Sequence, residues 1–515
     1  MLTSRKRVFW ALLPLILAYF ILFIFPNAQG AADEHMLFLT SPDENIQYPN
    51  LLRMLTPGST LIESLKHFFN HQHYIYGYPF YFFNALAALP LKIFYGADLA
   101  AHTQTLILFL RQGISVLPML AALLIFTALQ TGLRSFWRTA VLFLFLAFVP
   151  GVFRQNIQWW HPDALTVLAV ALTFYFLDRD QLRFGRNFYF AAAACGLAAG
   201  IKLIGFFFFL AVAWYLLTGL RRRCLTWPQA LKAGALFILI LFAVFILSNP
   251  LLLIPQTRAA ILQVHQDHNF SFTHGWENQD AYAKGPLSWL PVLERWYGSA
   301  YFLAFALLSL LMAALAGPRR LHNQLILAWA LPYTAYLGWV IAVRPDHYWL
   351  PVLIPVFSAL LALTELPSPA RPSGEDAPAP SVAFPRAAPI LLVGFLLAAQ
   401  FIANLQTDAH LYRRSLDLEP LLRACDTTPI ALNAGETFEP EEGRWYVVQQ
   451  IQAEPAAQRF SVLSPGQPLP ADSQQAWGCS SAEKAHLRAA YAAEDQKHSF
   501  PNQQVFGPDG IEILR

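Results

Sequence analysis

The segment VFWALLPLILAYFILFIFP, from Val8 to Pro26, is a continuous apolar run that follows three basic residues, Arg5, Lys6 and Arg7. A helix needs about 20 apolar residues to cross the hydrocarbon core of a bilayer, and this run has nearly that length. A basic start before an apolar run is also typical of a cleaved signal peptide. Because this run exceeds a usual signal core and many similar runs follow it, the sequence favours an uncleaved membrane anchor.

The composition of the whole chain is that of a membrane protein. Of its 515 residues, 56% are hydrophobic and 13% are charged, whereas about a quarter of residues are charged in an average soluble domain. The net charge of +3 gives no argument for nucleic acid as a partner. We predict a polytopic α-helical membrane protein of about eleven spans, at 8–26, 105–130, 138–152, 163–177, 188–201, 203–220, 231–249, 298–316, 325–343, 349–364 and 387–404.

The stretch YPFYFFNALAALPLKIFY, from Tyr78 to Tyr95, is a different kind of apolar segment. Pro79, Pro90 and Lys92 interrupt it, and its start is rich in aromatic residues. Aromatic residues favour the boundary between membrane and water. We therefore predict that this segment and Leu61–Phe69 are external juxtamembrane helices rather than spans.

The basic residues of the predicted loops fall on one side of the membrane. Short cytoplasmic loops are enriched in Lys and Arg. With a cytoplasmic N-terminus, that side receives Arg134, Arg138, Arg179, Arg183, Arg186, Arg221, Arg222, Arg223, Arg319 and Arg320. The Pro-rich segment 366–386 becomes a cytoplasmic linker, and the last span exports the tail. The predicted organisation is a transmembrane domain over 1–404 and a small external domain over 405–515.

Two further predictions concern the exported tail. Strand-like runs begin at Pro429, Arg444 and Gln503, which indicates a small α/β or β-rich domain. Cys425 and Cys479 both lie in this tail. Disulfides form outside the cytoplasm and are rare within it, so an exported tail predicts a Cys425–Cys479 bridge.

The opposite, external side collects residues that can carry chemistry. They are Asp43 and Glu44 after the first span, His161 and Asp163 before the fourth, Lys202 between two short spans, and Arg344, Asp346, His347 and Tyr348 in the loop RPDHYW; Arg111 lies near the outer end of its span. Ionisable residues among apolar spans are costly and usually face a cavity or a partner.

Several of these residues have a simpler interpretation. Asp43, Glu44 and Asp163 could each start a helix, where a carboxylate interacts favourably with the helix dipole. Lys202 could extend to the membrane surface. Neighbouring residues on a helix point about 100° apart, so at most one of Asp43 and Glu44 would face a shared centre. Pro49 is expected to interrupt any helix that starts at this pair.

The sequence gives little support for a metal site or a phosphate-binding loop. His265, Asp267, His268 and His274 lie in a stretch interpreted as a long polar loop, where histidines are more often solvated than bound to metal. We predict no metal site; no cofactor is required, and a divalent metal has no support. The sequence contains no Gly-rich phosphate loop, GxSxG or HExxH motif. Any phosphate would therefore be bound by Lys, Arg and His.

The acidic pair with the aromatic and methionine that follow it, DENIQYPNLLRM from Asp43 to Met54, resembles the first external loop of GT-C membrane glycosyltransferases. The branch is that of the protein O-mannosyltransferases and the bacterial aminoarabinose transferase. Three later stretches are similar and keep the same order: GYPFYFFNALAALPLKIFYG from Gly77, HPDALTVLAVAL from His161 and GLAAGIKLIG from Gly196. The resemblance covers roughly residues 8 to 360.

The resemblance implies a function at the external face of the bacterial inner membrane. That family transfers a sugar from a polyprenyl phosphate to a lipid, glycan or protein acceptor, usually with inversion. It implies that Asp43 is the catalytic carboxylate, that Asp163 is the second acid of the site and that Lys202 meets the lipid phosphate. Chemically, Asp43 would act as general base, and Lys202, helped by Arg344 or His347, would stabilise the departing phosphate.

Three other functions compete with this prediction. A transporter would carry polar groups near the middle of its spans and internal repeats. A ligase or polymerase of lipid-linked glycans would work on the same face of the membrane with other donors. A receptor or scaffold would act through its exported tail.

Overall fold

The computed structural model describes residues 4–275, 284–365 and 387–424, together with five strands between 426 and 512. The predicted linker at 366–386 and Cys425 lie outside the described residues. The Cys425–Cys479 bridge therefore stays a prediction. The separation into a domain over 1–404 and a domain over 405–515 is likewise still a prediction.

The part of the chain before residue 425 is helical. Its α-helices are α1 (Ser4–Leu22), α2 (Ile24–Ala28), α3 (Glu34–Thr40), α4 (Pro42–Met54), α5 (Leu61–Phe69), α6 (Tyr78–Tyr95), α7 (Thr103–Leu110), α8 (Leu117–Thr131), α9 (Phe136–Ala147), α10 (Pro150–Asn156), α11 (Asp163–Asp180), α12 (Arg186–Lys202), α13 (Phe209–Arg221), α14 (Trp227–Ser248), α15 (Pro255–His274), α16 (Leu290–Tyr297), α17 (Ala300–Ala316), α18 (Arg320–Trp339), α19 (Leu350–Ser358) and α20 (Ala387–Ala424). A π-helical turn, Arg111–Val116, joins α7 to α8, and 3-10 segments Ile204–Phe208 and Asp346–Trp349 precede α13 and α19.

The strands follow α20. They are β1 (Asp426–Leu432), β2 (Arg444–Gln449), β3 (Gln474–Ser480), β4 (Gln503–Gly507) and β5 (Gly510–Glu512). They form an antiparallel sheet in the order β1-β3-β2-β4-β5. Four of them, β1, β2, β4 and β5, overlap the three predicted strand-like runs.

Several of the described helices are long and apolar enough to cross a membrane. Five qualify by length and composition: Arg5–Ala28, Tyr78–Thr131, Ile204–Arg221, Trp227–Ser248 and Asp346–Thr364. Two bent pairs raise the number to seven, α9 with α10 at 69° and the segment Pro286–Tyr297 with α17 at 91°. The prediction of a polytopic helical membrane protein is confirmed, with five to seven candidate spans among the described residues. Each of the eleven predicted runs overlaps helical residues, and eleven spans stays a prediction.

Small residues let the central helices approach closely. A Cβ added to Gly196 in α12 would lie 2.5 Å from the backbone oxygen of Leu241 in α14. One added to Gly77, just before α6, would lie 1.6 Å from the backbone oxygen of Gly200. Glycine is the residue that permits such backbone contact in helical membrane proteins. The Gly77 amide also donates to the Ile201 carbonyl at 3.1 Å, which holds the start of α6 against the end of α12.

Two sequence expectations about local structure are wrong. Pro49 does not interrupt α4, which runs from Pro42 to Met54. Proline removes one backbone hydrogen bond, and the helix is held before it by the Ser41 cap. The stretch with His265 and His268 is helix α15 rather than a loop. The sequence did not predict this helix because the stretch is polar and has no apolar stripe.

Helix α20 continues through the predicted domain boundary at 404/405. Asp408, one turn beyond the predicted span, is 2% exposed, and neither carboxylate oxygen has a hydrogen-bond partner among the described residues. Burial raises the pKa of Asp408 well above its usual value, because desolvation disfavours the charged form. The folded protein therefore retains a proton that the unfolded chain releases above about pH 4.

Asp408→Asn should remove a pH-dependent loss of stability. A carboxyl whose pKa is raised by folding destabilises the native state increasingly as pH rises from the unfolded pKa towards the folded pKa. The apparent melting temperature of the variant should therefore exceed that of the wild type by a margin that grows between pH 5 and pH 8. Asp98→Asn, at an exposed position, is the control. Parallel pH profiles for wild type and Asp408→Asn would contradict the assignment.

Candidate active site

The acidic pair lies in the first turn of α4. Ser41 caps this helix by accepting from the Glu44 amide at 3.4 Å, and Pro42 occupies the first helical position, where its missing N–H costs nothing,. Glu44 is completely buried, whereas Asp43 is partly exposed. The two neighbouring carboxylates therefore face different surroundings, as helical geometry requires.

Glu44 belongs to a buried ion pair. The Arg111 guanidinium donates to both carboxylate oxygens, at 2.9 Å from Nε and 2.5 Å from Nη2, and both side chains are 0% exposed. The Trp160 amide donates to the same carboxylate at 2.6 Å. Nη1 of Arg111 donates to the backbone oxygens of Asn27 and Gln29 at 2.9 and 2.7 Å. This pair joins α4, the π-helical turn, the end of α2 and the loop before α11.

Asp43 lies beside two stacked aromatic rings, those of Trp159 and His161, which we call the aromatic wall. It accepts a hydrogen bond from the indole Nε1 of Trp159 at 3.2 Å. The Trp159 ring stacks on the His161 ring, with 4.3 Å between centroids and 18° between planes. One hydrogen bond and one ring contact therefore connect Asp43 to the residues at the start of α11.

Asp163, the first residue of α11, is the centre of a second charge cluster. Its carboxylate is 2.6 Å from Lys202 Nζ at the end of α12 and 2.5 Å from His161 Nδ1. Asp163 is 1% exposed, and the Lys202 side chain is 10% exposed. The close packing of the antiparallel helices α11 and α12 places these two residues at the same end. Both had been singled out from the sequence, and the structure brings them together.

His161 lies between the Tyr76 hydroxyl and the Asp163 carboxylate. Burial lowers the pKa of His161 to about 4, so the ring is neutral near pH 7,. Its Nε2 is hydrogen-bonded to the Tyr76 hydroxyl at 2.6 Å. Its Nδ1 lies 2.5 Å from an Asp163 oxygen, but these two atoms are not aligned as a hydrogen bond. His161 therefore joins Tyr76 to the charge cluster through one hydrogen bond and one short contact.

Two tyrosines flank the Lys202 ammonium, and a histidine lies near its partner Asp163. Lys202 Nζ lies 5.0 Å from the ring centroid of Tyr348 and 5.7 Å from that of Tyr76. His347 Nε2 lies 3.8 Å from the Asp163 carboxylate. Cation–π contacts of this kind hold an ammonium in place while leaving N–H donors for a ligand.

The remaining predicted residues are placed differently. Asp346 forms an ion pair with Arg154 at 3.4 Å. Arg344 donates to the Ser288 backbone oxygen at 2.8 Å, away from the contacts described for Lys202. Trp159, Tyr76 and Arg154 were not predicted as site residues from the sequence. Arg154 could have been noticed as a cation in an apolar helix, but nothing in the sequence singles out Tyr76.

The donor atoms of His161, Asp163 and His347 lie within 4.8 Å of one another, a spacing at which three ligands could hold a metal ion. Two ligands of a tetrahedral zinc ion are separated by about 3.3 Å, whereas His161 Nδ1 and the Asp163 oxygen are 2.5 Å apart. Lys202 already balances the Asp163 charge. As arranged, Asp163 fits the hydrogen-bonded ion pair with Lys202 better than a metal centre.

Basic residues mark the other end of the same helices. Helix α11 has 18 residues and is about 27 Å long,. Asp163 begins it, while Asp178 near its end is 3.7 Å from Arg319, which just precedes α18. The charge cluster around Asp163 and the predicted cytoplasmic arginines therefore lie at opposite ends of α11.

Solved structures with a related arrangement are those of ArnT from Cupriavidus metallidurans, one bound to undecaprenyl phosphate and one in the apo state. Each is 14% identical over 79% of this chain, covers 74% and 73% of the respective ArnT chain, and has a TM-score of 0.42. This likeness agrees with the resemblance noted in the sequence. The predicted resemblance is confirmed to this extent, and at this TM-score it carries no argument about activity. No protein-family model and no curated protein matches the sequence.

Proposed function

We propose that this protein is an integral membrane glycosyltransferase of the GT-C type. It moves a sugar from a polyprenyl-phosphate donor to a lipid, glycan or protein acceptor at the periplasmic face of the inner membrane. The observation that carries the proposal is the contact chain from partly exposed Asp43, through Trp159 and His161, to Asp163 and Lys202. This chain of contacts connects the Asp43 carboxylate and the Lys202 ammonium through the aromatic wall.

Lys202 is the proposed phosphate ligand. An ammonium has three N–H donors, and Asp163 occupies one of them. The others can meet phosphate oxygens, and His347 lies 3.8 Å from the same Asp163 carboxylate. As the glycosidic oxygen departs with the bonding electrons, charge grows on the phosphate, and donors placed there beforehand stabilise it.

Asp43 is the proposed general base. The acceptor hydroxyl attacks the anomeric carbon from the face opposite the phosphate, and its proton passes to Asp43. The bond from the anomeric carbon to the phosphate oxygen breaks, so the product has inverted configuration. The buried pair of Glu44 and Arg111 is proposed to position α4 rather than to touch substrate, since both side chains are 0% exposed.

The charge distribution supports the proposed orientation of the protein in the membrane. Arg221 and Arg319 lie at the helix ends opposite Asp163, and the positive end of a membrane protein faces the cytoplasm,. We place the N-terminus in the cytoplasm and the catalytic cluster in the periplasm. With eleven spans the C-terminal strands are also periplasmic, where they would handle the acceptor or support the structure.

Lys202→Gln tests the proposal. Purified protein would be given a labelled polyprenyl-phosphate sugar and candidate acceptors. The variant should raise the KM for the donor and lower kcat/KM by at least about tenfold, since charge-assisted hydrogen bonds contribute about 1.5–3 kcal/mol. Lys92→Gln removes a comparable charge from a partly exposed lysine of α6 and should leave both constants unchanged. Wild-type kinetics in Lys202→Gln would remove Lys202 from the donor site.

The same assay separates the competing functions. If the wild type transfers sugar from none of the single-sugar donors but joins lipid-linked oligosaccharides, a ligase or polymerase is favoured. If it transfers nothing yet moves a solute across proteoliposomes, the transporter interpretation is favoured. The charge cluster at the helix ends, rather than midway along them, argues against a transporter.

A further inference from the structure

A second site lies at the arginine-bearing end of the helices. A groove with a volume of about 500 Å³ opens between α13, α17 and α18. We call it the arginine groove. Its polar lining includes Arg221, Arg222 and Arg320, and its apolar lining includes Trp214, Leu311 and Leu315. The volume is within the usual range for small-molecule and lipid sites.

The groove is remote from the proposed active site. The helical segment from Ile204 to Arg221 begins just after Lys202 and has 18 residues. At about 1.5 Å per residue, it separates Lys202 from Arg221 by about 27 Å. A ligand in the groove is therefore distinct from a donor bound at Lys202.

The three arginines carry uncompensated charge. All three are exposed, and no described carboxylate lies within ion-pair distance of them. The Arg221 guanidinium lies 5.5 Å from the Trp214 ring centroid, a cation–π contact. Arginine is well suited to phosphate because its planar fork donates two hydrogen bonds at once.

The apolar side of the groove is exposed, and hydrogen bonds join its walls. Leu311 and Leu315 on α17 are 40% and 64% exposed. Gln324 links the walls, because it accepts from Trp214 Nε1 at 3.1 Å and donates to the Ala314 backbone oxygen at 3.0 Å. The groove thus joins a cluster of guanidinium groups to a leucine surface on a helix long enough to contact the bilayer.

We propose that the arginine groove binds one anionic phospholipid of the cytoplasmic leaflet. The phosphate of the head group would lie among the guanidinium groups, and an acyl chain would cover Leu311 and Leu315. A soluble phosphate would satisfy the arginines but leave the leucines exposed to water. Basic pockets between transmembrane helices on the cytoplasmic side are suited to anionic head groups. The site is independent of the proposed glycosyl transfer, and its leaflet rests on the proposed orientation of the chain.

Native mass spectrometry of delipidated protein titrated with phosphatidylglycerol tests this site. The wild type should bind one phosphatidylglycerol with high affinity, and phosphatidylethanolamine with the same chains much more weakly. Arg221→Gln/Arg222→Gln/Arg320→Gln should weaken the phosphatidylglycerol affinity by at least about tenfold, given about 1 kcal/mol per basic residue near an anionic lipid. Arg183→Gln/Arg186→Gln/Arg223→Gln removes equal charge from exposed positions of the same predicted side and should change the affinity less than about twofold.

Three results would overturn the proposal. The groove variant could bind as tightly as the wild type, or the control variant could lose as much affinity, which would indicate diffuse surface charge. Displacement of the lipid by an equal concentration of glycerol 3-phosphate would indicate a site for the soluble anion. Should the triple variant fail to fold, wild-type protein with a phosphatidylglycerol that carries a photoreactive chain decides the matter. Its crosslinks should fall on Ala300–Ala316 or on the facing residues of α13 and α18, and crosslinks confined to other helices would refute the groove.

Discussion

Asp43→Asn should lower sugar transfer by about 10²–10⁴-fold, the range that a general base contributes. The amide oxygen of asparagine can still accept the hydrogen bond from Trp159 Nε1, so the local structure should persist. The amide cannot take the proton of the acceptor hydroxyl. The measurement is kcat with saturating donor and acceptor, together with the apparent melting temperature to show that the variant is folded.

The control for Asp43 is another carboxylate near the same face. Glu34 is exposed in the first turn of α3, and Glu34→Gln should transfer at the wild-type rate. Asp43→Glu keeps a base but moves it by one methylene, so it should retain part of the activity. Equal kcat in wild type and Asp43→Asn would show that another group removes the proton, or that the acceptor needs no base.

The second large effect is expected from the buried ion pair. Arg111→Met leaves the Glu44 carboxylate without its cation in a place that water does not reach. Loss of one partner of a buried pair typically costs about 3–5 kcal/mol. We therefore expect a large fall in the apparent melting temperature and a low yield of folded protein. The backbone oxygens of Asn27 and Gln29 would also lose their donor.

A double variant separates charge from packing at this pair. Glu44→Met/Arg111→Met removes both charges, and paired replacement by apolar residues is often nearly neutral. It should recover much of the stability that Arg111→Met loses. Arg53→Met, at a half-buried arginine of α4, should have a smaller effect than Arg111→Met. A double variant as unstable as the sum of its single changes would show that the two side chains act separately.

Much of the helical fold could be predicted because its signal is local. The predicted segment Tyr78–Tyr95 coincides with α6, and the spans at 163–177 and 231–249 lie within or closely overlap α11 and α14. Asp163 and Lys202 were found as ionisable residues in apolar surroundings, a pattern that one sequence shows. Their mutual contact joins residues 39 positions apart, and no local pattern encodes it.

The different roles of the acidic pair could not be predicted in the same way. Helical geometry indicates that Asp43 and Glu44 diverge, but it does not say which one is buried. The partner that decides this, Arg111, lies 67 residues from Glu44. Tyr76 is 85 residues from His161 and is one of many tyrosines in the chain. Contacts of this range depend on how the helices pack.

The main chain itself sets the spacing between the loop that carries Tyr76 and the helix end that carries Lys202. At Gly77 and Gly200 the two backbones touch without any side chain between them. Libraries designed to change donor or acceptor preference could therefore vary the residues of the aromatic wall without moving the backbone that carries Tyr76 and Lys202. Those two glycines would have to remain constant in every library.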